Sequence, residues 1–175
     1  MILTILLGII IVYIVIVLFF HCSYPEIYWN WRKIDTSEIS FNDSFFWGTA
    51  TASHQVEGNC INNNWFAWEN SKNENNNPRI KDNQKAGNAC DHWNRYKEDI
   101  ELIKKLGVTH YRFSLEWSKI EPEKDSYNQD AINHYSNVID SLIEENITPV
   151  ITIHHFTHPL WFDELGGFEK EENIV

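Results

Sequence analysis

The sequence predicts an α/β fold preceded by a membrane-spanning helix, and three observations carry this prediction. The chain opens with 20 residues, 1–20, that include no charged side chain. Behind them, apolar patterns with the period of a strand alternate with apolar patterns with the period of a helix. Hydrophobic residues make up 43% and charged residues 22% of the chain, a balance typical of a folded protein and not of a disordered one.

The apolar segment 1–20 has the length of a membrane span, because its 20 residues, at a rise of about 1.5 Å each, match a hydrocarbon core of roughly 30 Å. A cleaved signal peptide, the alternative, usually has a basic start, a shorter apolar stretch and a small-residue cleavage site, and this segment has none of them. Four aromatic residues follow as an interfacial belt would, at Tyr24, Tyr28, Trp29 and Trp31. We expect a single-pass membrane anchor at 1–20, a juxtamembrane linker at 21–40 and a globular part at 41–175.

The side of the membrane on which the globular part lies stays open. Arg32 and Lys33 follow the apolar segment, and by the positive-inside rule they favour a cytosolic globular part. Two glycosylation sequons, at Asn42 and Asn146, favour the opposite side. A chain this rich in Asn forms such triplets by chance, so neither signal decides the topology.

Strand and helix patterns alternate in the globular part. The predicted order is strand, helix, strand, helix, strand, at 45–53, 91–106, 108–117, 130–145 and 148–156. An Asn-rich stretch, 59–88, predicts a long loop between the first strand and the first helix. Asp91 is the predicted N-cap of that helix, and Gly107 its end. Because each helix is long enough to connect parallel neighbours, the strands are expected to form a parallel sheet.

Charge and ligand patterns exclude several kinds of partner. The net charge of −11 argues against nucleic acid, whose phosphates are bound by basic side chains. Three Cys are too few for a disulfide scaffold, and Cys60 and Cys90, which bracket the Asn-rich loop, are more simply two separate thiols. His154 and His155 are adjacent in a strand and point to opposite faces, so we expect no metal site there. No cofactor is implied.

Five motifs then follow one another in the order of a known family. They are Phe45-Phe-Trp-Gly-Thr-Ala-Thr-Ala-Ser-His-Gln-Val-Glu-Gly58, Ala89-Cys-Asp-His-Trp-Asn-Arg-Tyr-Lys-Glu-Asp-Ile100, Leu106-Gly-Val108, Tyr111-Arg-Phe-Ser-Leu-Glu-Trp-Ser-Lys-Ile120 and Thr152-Ile-His-His-Phe156. Together they closely resemble the N-terminal portion of glycoside hydrolase family 1, the β-glucosidase family. The resemblance implies that the globular part comprises about three β/α units of a (β/α)8 TIM barrel. Lys119, where Arg is usual, and Phe156, where Trp is commoner, depart from the pattern.

The resemblance also implies which residues form the site. Functional residues of such barrels lie at the carboxyl ends of the strands, and Gln55, Arg112 and His155 each fall at or near the end of a predicted strand. By the resemblance, Gln55 and His155 bind hydroxyls of the glycone, and Arg112 supports the nucleophilic carboxylate. Trp47 and Phe156 would supply apolar walls. From spacing alone, Gln55 would be an ordinary turn amide.

The two carboxylates of a retaining β-glycosidase are not among these residues. In the family they lie in an Asn-Glu-Pro motif and a Glu-Asn-Gly motif, and neither tripeptide occurs in the sequence. Glu57 and Glu116 lie near strand ends, but their counterparts in the family's motifs are structural or variable. We therefore expect the acid/base and the nucleophile beyond Val175, the last residue of the sequence.

These expectations describe the N-terminal fragment of a membrane-anchored retaining β-glycosidase, which acts on β-linked sugars. The chain itself would be inactive and would be completed by a missing C-terminal part of the barrel. The alternative is a non-catalytic, membrane-tethered protein of the same fold that binds a sugar or a partner.

Overall fold

The computed structural model describes residues 2–25 and 30–174, in two units that divide after Asp43. The first unit contains helix α1 (Ile2–Ser23) and a short 3-10 turn (Trp31–Lys33). Its segment Thr4–Ser23 is apolar and long enough to cross a membrane by length and composition, and a signal sequence would meet the same description.

Three residues named in the sequence analysis lie outside the described residues. Two of them, Tyr28 and Trp29, belong to the predicted aromatic belt. The third is Val175, beyond which both catalytic carboxylates are expected. The structure therefore does not test that expectation, and it stays a prediction.

The second unit is built on a parallel sheet of three strands in the order β1 (Gly48–Ala50), β2 (His110–Ser114) and β3 (Thr148–Thr152). Ala50 pairs with Arg112, and Arg112 pairs with Val150. The predicted alternation of strands and helices is present, and every strand is shorter than its sequence pattern. Each strand ends early because the chain turns into a short helix or a loop at the carboxyl edge of the sheet.

Two long helices connect the strands and cover one face of the sheet. Helix α4 (His92–Leu106) joins β1 to β2, and helix α6 (Gln129–Glu144) joins β2 to β3. Their apolar stripes bury against β2, whose alternating side chains Tyr111 and Phe113 are 1% and 4% exposed. The buried cluster around them also contains Ile100, Ile103, Tyr135, Val138, Leu142 and Ile147.

Both long helices end or begin at residues that suit a helix end, but one of these residues lacks the expected side-chain capping bond. Asn128 caps α6 by accepting hydrogen bonds from Asp130 N and Ala131 N, and Gly107 ends α4 at a φ of 74°, as predicted. Asp91 precedes α4 but has a left-handed φ of 55° and makes no side-chain capping bond. Its carboxylate instead accepts from Asn94 Nδ2 at 2.8 Å, and its carbonyl accepts from Arg95 N at 3.0 Å. Asp91 thus occupies the predicted N-cap position, without a side-chain cap.

Short helices that the sequence pattern missed lie at the carboxyl edge of the sheet. They are α2 (Ser53–Val56) and α3 (Asn64–Glu69) after β1, α5 (Trp117–Ile120) after β2, and α7 (Leu160–Glu164) after β3. Helix α3 lies within the stretch 59–88, which is therefore not loop throughout. It forms there because Asn63 Oδ1 accepts from Phe66 N at 2.8 Å and caps its first turn.

The outer edges of the sheet are open. Among the described residues, β1 and β3 each pair with β2 alone. Val150 and Ile151 of β3 are 44% and 42% exposed, and Ile153 just beyond the strand is 80% exposed. Unpaired backbone groups and exposed apolar side chains thus coincide along β3.

Candidate functional site

Arg112 and His155 form the centre of a polar cluster at the carboxyl edge of the sheet. Arg112 Nε donates to Thr152 Oγ1 at 2.8 Å, and Arg112 Nη2 lies 3.0 Å from His155 Nδ1. Since a guanidinium can only donate, His155 Nδ1 is the acceptor and carries no proton. His155 Nε2 is then the protonated nitrogen, able to donate a hydrogen bond outward from an exposed ring.

Gln55 lies in α2, which follows the carboxyl end of β1. Its side chain is exposed and lines an open groove of about 310 Å³. Aromatic, aliphatic and polar side chains share that groove, namely His54, Trp65, Glu69, Ile80, Gln84, Lys85 and Ala86. The amide of Gln55 can both donate and accept there.

Phe156 connects the two parts of the site. Its ring centroid lies 5.1 Å from that of His155 and 5.4 Å from that of Trp65. The structure therefore gathers Gln55, Arg112, His155 and Phe156 at one edge of the sheet. Trp65 is a further aromatic neighbour, which the sequence motifs did not assign to the site.

The structure does not bring Trp47 to this site. Trp47 precedes β1, and its carbonyl accepts hydrogen bonds from Thr109 N at 2.9 Å and His110 N at 3.0 Å, at the start of β2. In a parallel sheet these positions mark the amino edge, whereas Gln55 follows the carboxyl end of β1. The length of the strand thus separates Trp47 from the other predicted site residues.

A buried carboxylate lies beneath the site. Glu116 is 0% exposed, and its Oε1 accepts from Ser118 Oγ at 2.6 Å and Asn63 Nδ2 at 3.2 Å. Its Oε2 accepts from Thr157 Oγ1 at 3.0 Å and Ser53 Oγ at 3.1 Å. We call these five residues the Glu116 network.

A second buried carboxylate, Glu57, ends α2. Its Oε1 accepts from Tyr135 OH at 2.7 Å and its Oε2 from Lys119 Nζ at 2.9 Å. Burial raises the pKa of the Glu57 carboxyl above its ordinary value, and the Lys119 ammonium opposes this shift. Lys119 Nζ also lies 3.9 Å above the ring of Trp93. Glu57 and Glu116 are thus bonded to the protein interior.

Three buried side chains near the site could be mistaken for a metal centre. His54, Cys60 and Glu116 place their ligand atoms within 4.8 Å of one another. Burial, however, raises the pKa of the Cys60 thiol to about 12, and the thiolate is the form that binds metals. Asn63 Nδ2 also lies 3.1 Å from His54 Nδ1, and both oxygens of Glu116 already accept hydrogen bonds. These three side chains therefore do not form a suitable set of ligands for a metal ion.

Comparison with known proteins identifies the family. The family model described as glycosyl hydrolase family 1 matches residues 37–175. The chain belongs to this family. The assignment made from the five sequence motifs is therefore confirmed.

Two of the curated relatives are β-glucosidases from distant organisms. The chain is 41% identical over 138 residues to β-glucosidase A of Thermotoga maritima, which covers 75% of this chain and 30% of that protein. It is 35% identical over 146 residues to the cytosolic β-glucosidase of Homo sapiens, and this match covers 78% of this chain and 30% of that protein. The chain thus spans about a third of the length of these relatives.

Solved structures agree with the sequence relatives. A β-glycosidase from Pyrococcus horikoshii matches with a TM-score of 0.67 and 46% identity, over 77% of this chain and 30% of that one. The family 1 β-glucosidase from Thermotoga maritima matches with a TM-score of 0.70 and 39% identity, over 75% of this chain and 30% of that one. A complex of the Thermotoga enzyme with deoxynojirimycin also matches, with a TM-score of 0.70. These enzymes are (β/α)8 barrels, and the three strands of this chain correspond to part of one.

Proposed function

We propose that this chain forms the N-terminal, sugar-binding portion of a retaining β-glucosidase. The observation that carries the proposal is the gathering of Gln55, Arg112 and His155 at the carboxyl edge of a family 1 sheet, where barrel enzymes bind their substrates. The substrate class is a β-linked glucoside, whose O-glycosidic bond is hydrolysed.

The geometry suits a sugar in three ways. His155 Nε2 donates and the amide of Gln55 both donates and accepts, which matches a ring of hydroxyl groups. Phe156 and Trp65 offer aromatic surface to the apolar C–H groups of a sugar. Arg112 uses Nε and Nη2 within the chain, so its other N–H groups remain to hold and ionise a catalytic carboxylate.

The chemistry requires two carboxylates roughly 5 to 5.5 Å apart, one as nucleophile and one as acid/base. We propose that further β/α units beyond Val175 supply both, after the fourth and seventh strands of the barrel. They would pair with the open edges of β1 and β3, because a barrel is closed by strand pairing. The 175 residues by themselves are then inactive.

Helix α1 is proposed as a single-pass membrane anchor for the enzyme. Its segment Thr4–Ser23 has the required length and composition, and Arg32 and Lys33 follow it. Extraction of membranes at high pH tests this proposal directly. The chain should stay in the pellet, while a variant lacking residues 2–23 should be released. Release of the full chain, or a chain shortened by cleavage after α1, would contradict the anchor.

Complementation tests the enzymatic proposal. The full chain is co-expressed with the part of Thermotoga maritima β-glucosidase A that lies beyond its match to this chain, and hydrolysis of 4-nitrophenyl β-D-glucoside is measured. Activity is expected from the pair and from neither chain alone. Gln55→Ala should lower kcat/KM by more than about tenfold, or about 1.4 kcal/mol, whereas the exposed Gln129→Ala should not. A folded pair that binds deoxynojirimycin without hydrolysis would favour the non-catalytic alternative.

A further inference from the structure

We infer that Glu116 is a positioning residue that fixes the loops of the sugar-binding site relative to one another, an inference that rests on the proposed function. Glu116 does not face the groove and is fully buried. Its action on the site therefore passes through the four side chains that donate to it.

The four donors come from the segments that follow all three strands. Ser53 begins α2, two positions before Gln55, and Asn63 caps α3, two positions before Trp65. Ser118 lies in α5, after β2. Thr157 follows β3, two positions after His155. One carboxylate thus joins the segments that follow the three strands, including those that carry the predicted sugar contacts Gln55 and His155.

Glu116 can hold these segments together because it is the common acceptor of the network and the other four side chains are neutral donors. An ionised carboxylate only accepts, and its two oxygens offer about four acceptor positions. Three hydroxyl donors and one amide donor fill them. Among the described ion pairs, none involves Glu116. The network is therefore an arrangement of neutral donors around one anion, and it loses its common acceptor if that anion is removed.

Helix α2 shows how the network sets the position of Gln55. At its first residue, Ser53 N donates to Ser114 Oγ at 2.8 Å and Ser53 Oγ donates to Glu116. At its last turn, Glu57 accepts from Tyr135 OH, and Tyr135 OH in turn accepts from Glu116 N at 2.8 Å. The carboxylate of Glu116 thus holds the first residue of α2. The last turn is linked through Tyr135 to the backbone N–H of Glu116, a contact that a change of the Glu116 side chain leaves in place. Gln55 lies between the two.

Amide hydrogen exchange of the full chain in detergent micelles tests this inference with two substitutions. Glu116→Leu fills a similar volume without an acceptor. Glu116→Gln keeps one acceptor oxygen, and its amide can donate to the hydroxyls of Ser53 and Thr157, which can accept. We expect segments 53–57, 63–66 and 157–159 to exchange at least about tenfold faster in the Leu variant, since hydrogen bonds to a charged group are lost. The Gln variant should restore wild-type exchange.

Controls separate positioning from general unfolding. Helices α4 and α6 should keep their protection in both variants, and the exposed Glu98→Leu on α4 should change none of the three segments. Unchanged exchange in Glu116→Leu, or equally fast exchange in the Leu and Gln variants, would overturn the inference. If Glu116→Leu also exposes α4 and α6, Thr157→Val decides the question. That variant removes one donor and should accelerate exchange at 155–159 alone, and no acceleration there would refute the role.

Activity in the complemented enzyme distinguishes this inference from the proposed function. With an active wild-type pair, Glu116→Leu should lower kcat/KM at least about tenfold, and Glu116→Gln should recover it. Full activity of the Leu variant would refute positioning by Glu116 and leave the proposed function intact. An inactive wild-type pair with the expected exchange pattern would refute the proposed function and leave the structural role of the network standing.

Discussion

Replacing Lys119 with Met should destabilise the second unit because it leaves a buried carboxylate without its cation. The side chains of Lys119 and Glu57 are 18% and 4% exposed, and their N···O distance is 2.9 Å. Removing one partner of a buried pair typically costs about 3 to 5 kcal/mol. The lost contact of the ammonium with the Trp93 ring adds about 0.5 to 1 kcal/mol. Tyr135 still donates to Glu57, so we expect the pair to contribute near the lower end of its range and the whole loss to be about 3.5 to 4 kcal/mol.

The loss should depend on pH in a defined direction. Burial already raises the pKa of Glu57 above its ordinary 4.5, and removal of Lys119 raises this pKa further. A carboxyl with a raised pKa in the folded state binds more protons folded than unfolded, so stability falls as pH rises above the unfolded value. Lys119→Met should therefore be most destabilising at neutral pH and least destabilising near pH 4.

The assay is urea unfolding of the full chain in micelles, followed by near-ultraviolet circular dichroism between pH 4 and 8. The double variant Glu57→Gln, Lys119→Met provides the control, because it removes the titrating carboxyl and should abolish the added pH dependence. If Lys119→Met unfolds at the wild-type urea concentration throughout this range, the buried pair is not a stabilising contact. If the double variant keeps the steep pH dependence, Glu57 is not its source.

Three further predictions concern separate features. Gly58 has a φ of 83°, and an added Cβ would clash with the backbone oxygen of Asn88, so Gly58→Ala should lower Tm clearly. Gly87 also has a positive φ, but a Cβ added there would meet no atom within 4 Å. Gly87→Ala should therefore lower Tm by less than Gly58→Ala, and equal decreases in Tm would rule out the steric explanation. Burial lowers the pKa of His134 below its ordinary 6.5. Stability should therefore fall as pH drops below 6.5, because the unfolded state then binds more protons than the folded state. His134→Phe should remove that part of the pH dependence in urea titrations, and a profile identical to wild type would contradict this assignment. In the complemented enzyme, His155→Ala should lower kcat/KM for the glucoside by more than about tenfold, and unchanged kinetics would remove His155 from the site.

The order of strands and helices could be predicted from the sequence because each long element has its own period. Tyr111 and Phe113 alternate as a strand requires, and the buried residues of α6 recur at helical spacing. The short helices could not be predicted in this way. Helix α2 has four residues, too few to show a period, and tertiary hydrogen bonds at both ends hold it in place.

The site was predicted in part because its residues lie within sequence motifs. Gln55, His155 and Phe156 follow strands, and Arg112 lies within β2, level with the last residue of β1. The parallel sheet places these positions toward one edge. Trp47 shares a motif with Gln55, but a strand lies between them, and neighbours in sequence then stand at opposite edges.

The partners of Glu116 show a different limit. Ser53, Asn63 and Thr157 lie 63, 53 and 41 positions away along the chain. Only the folded structure brings these donors to one carboxylate.

The open edges of the sheet affect how the protein must be made and handled. A strand with unpaired amide and carbonyl groups can pair with any extended segment that reaches it, including the same strand of another molecule. β3 adds exposed apolar side chains to that edge, a combination that favours aggregation. During synthesis of these residues, another extended segment or a chaperone therefore has to cover β3 quickly, before two copies pair with each other.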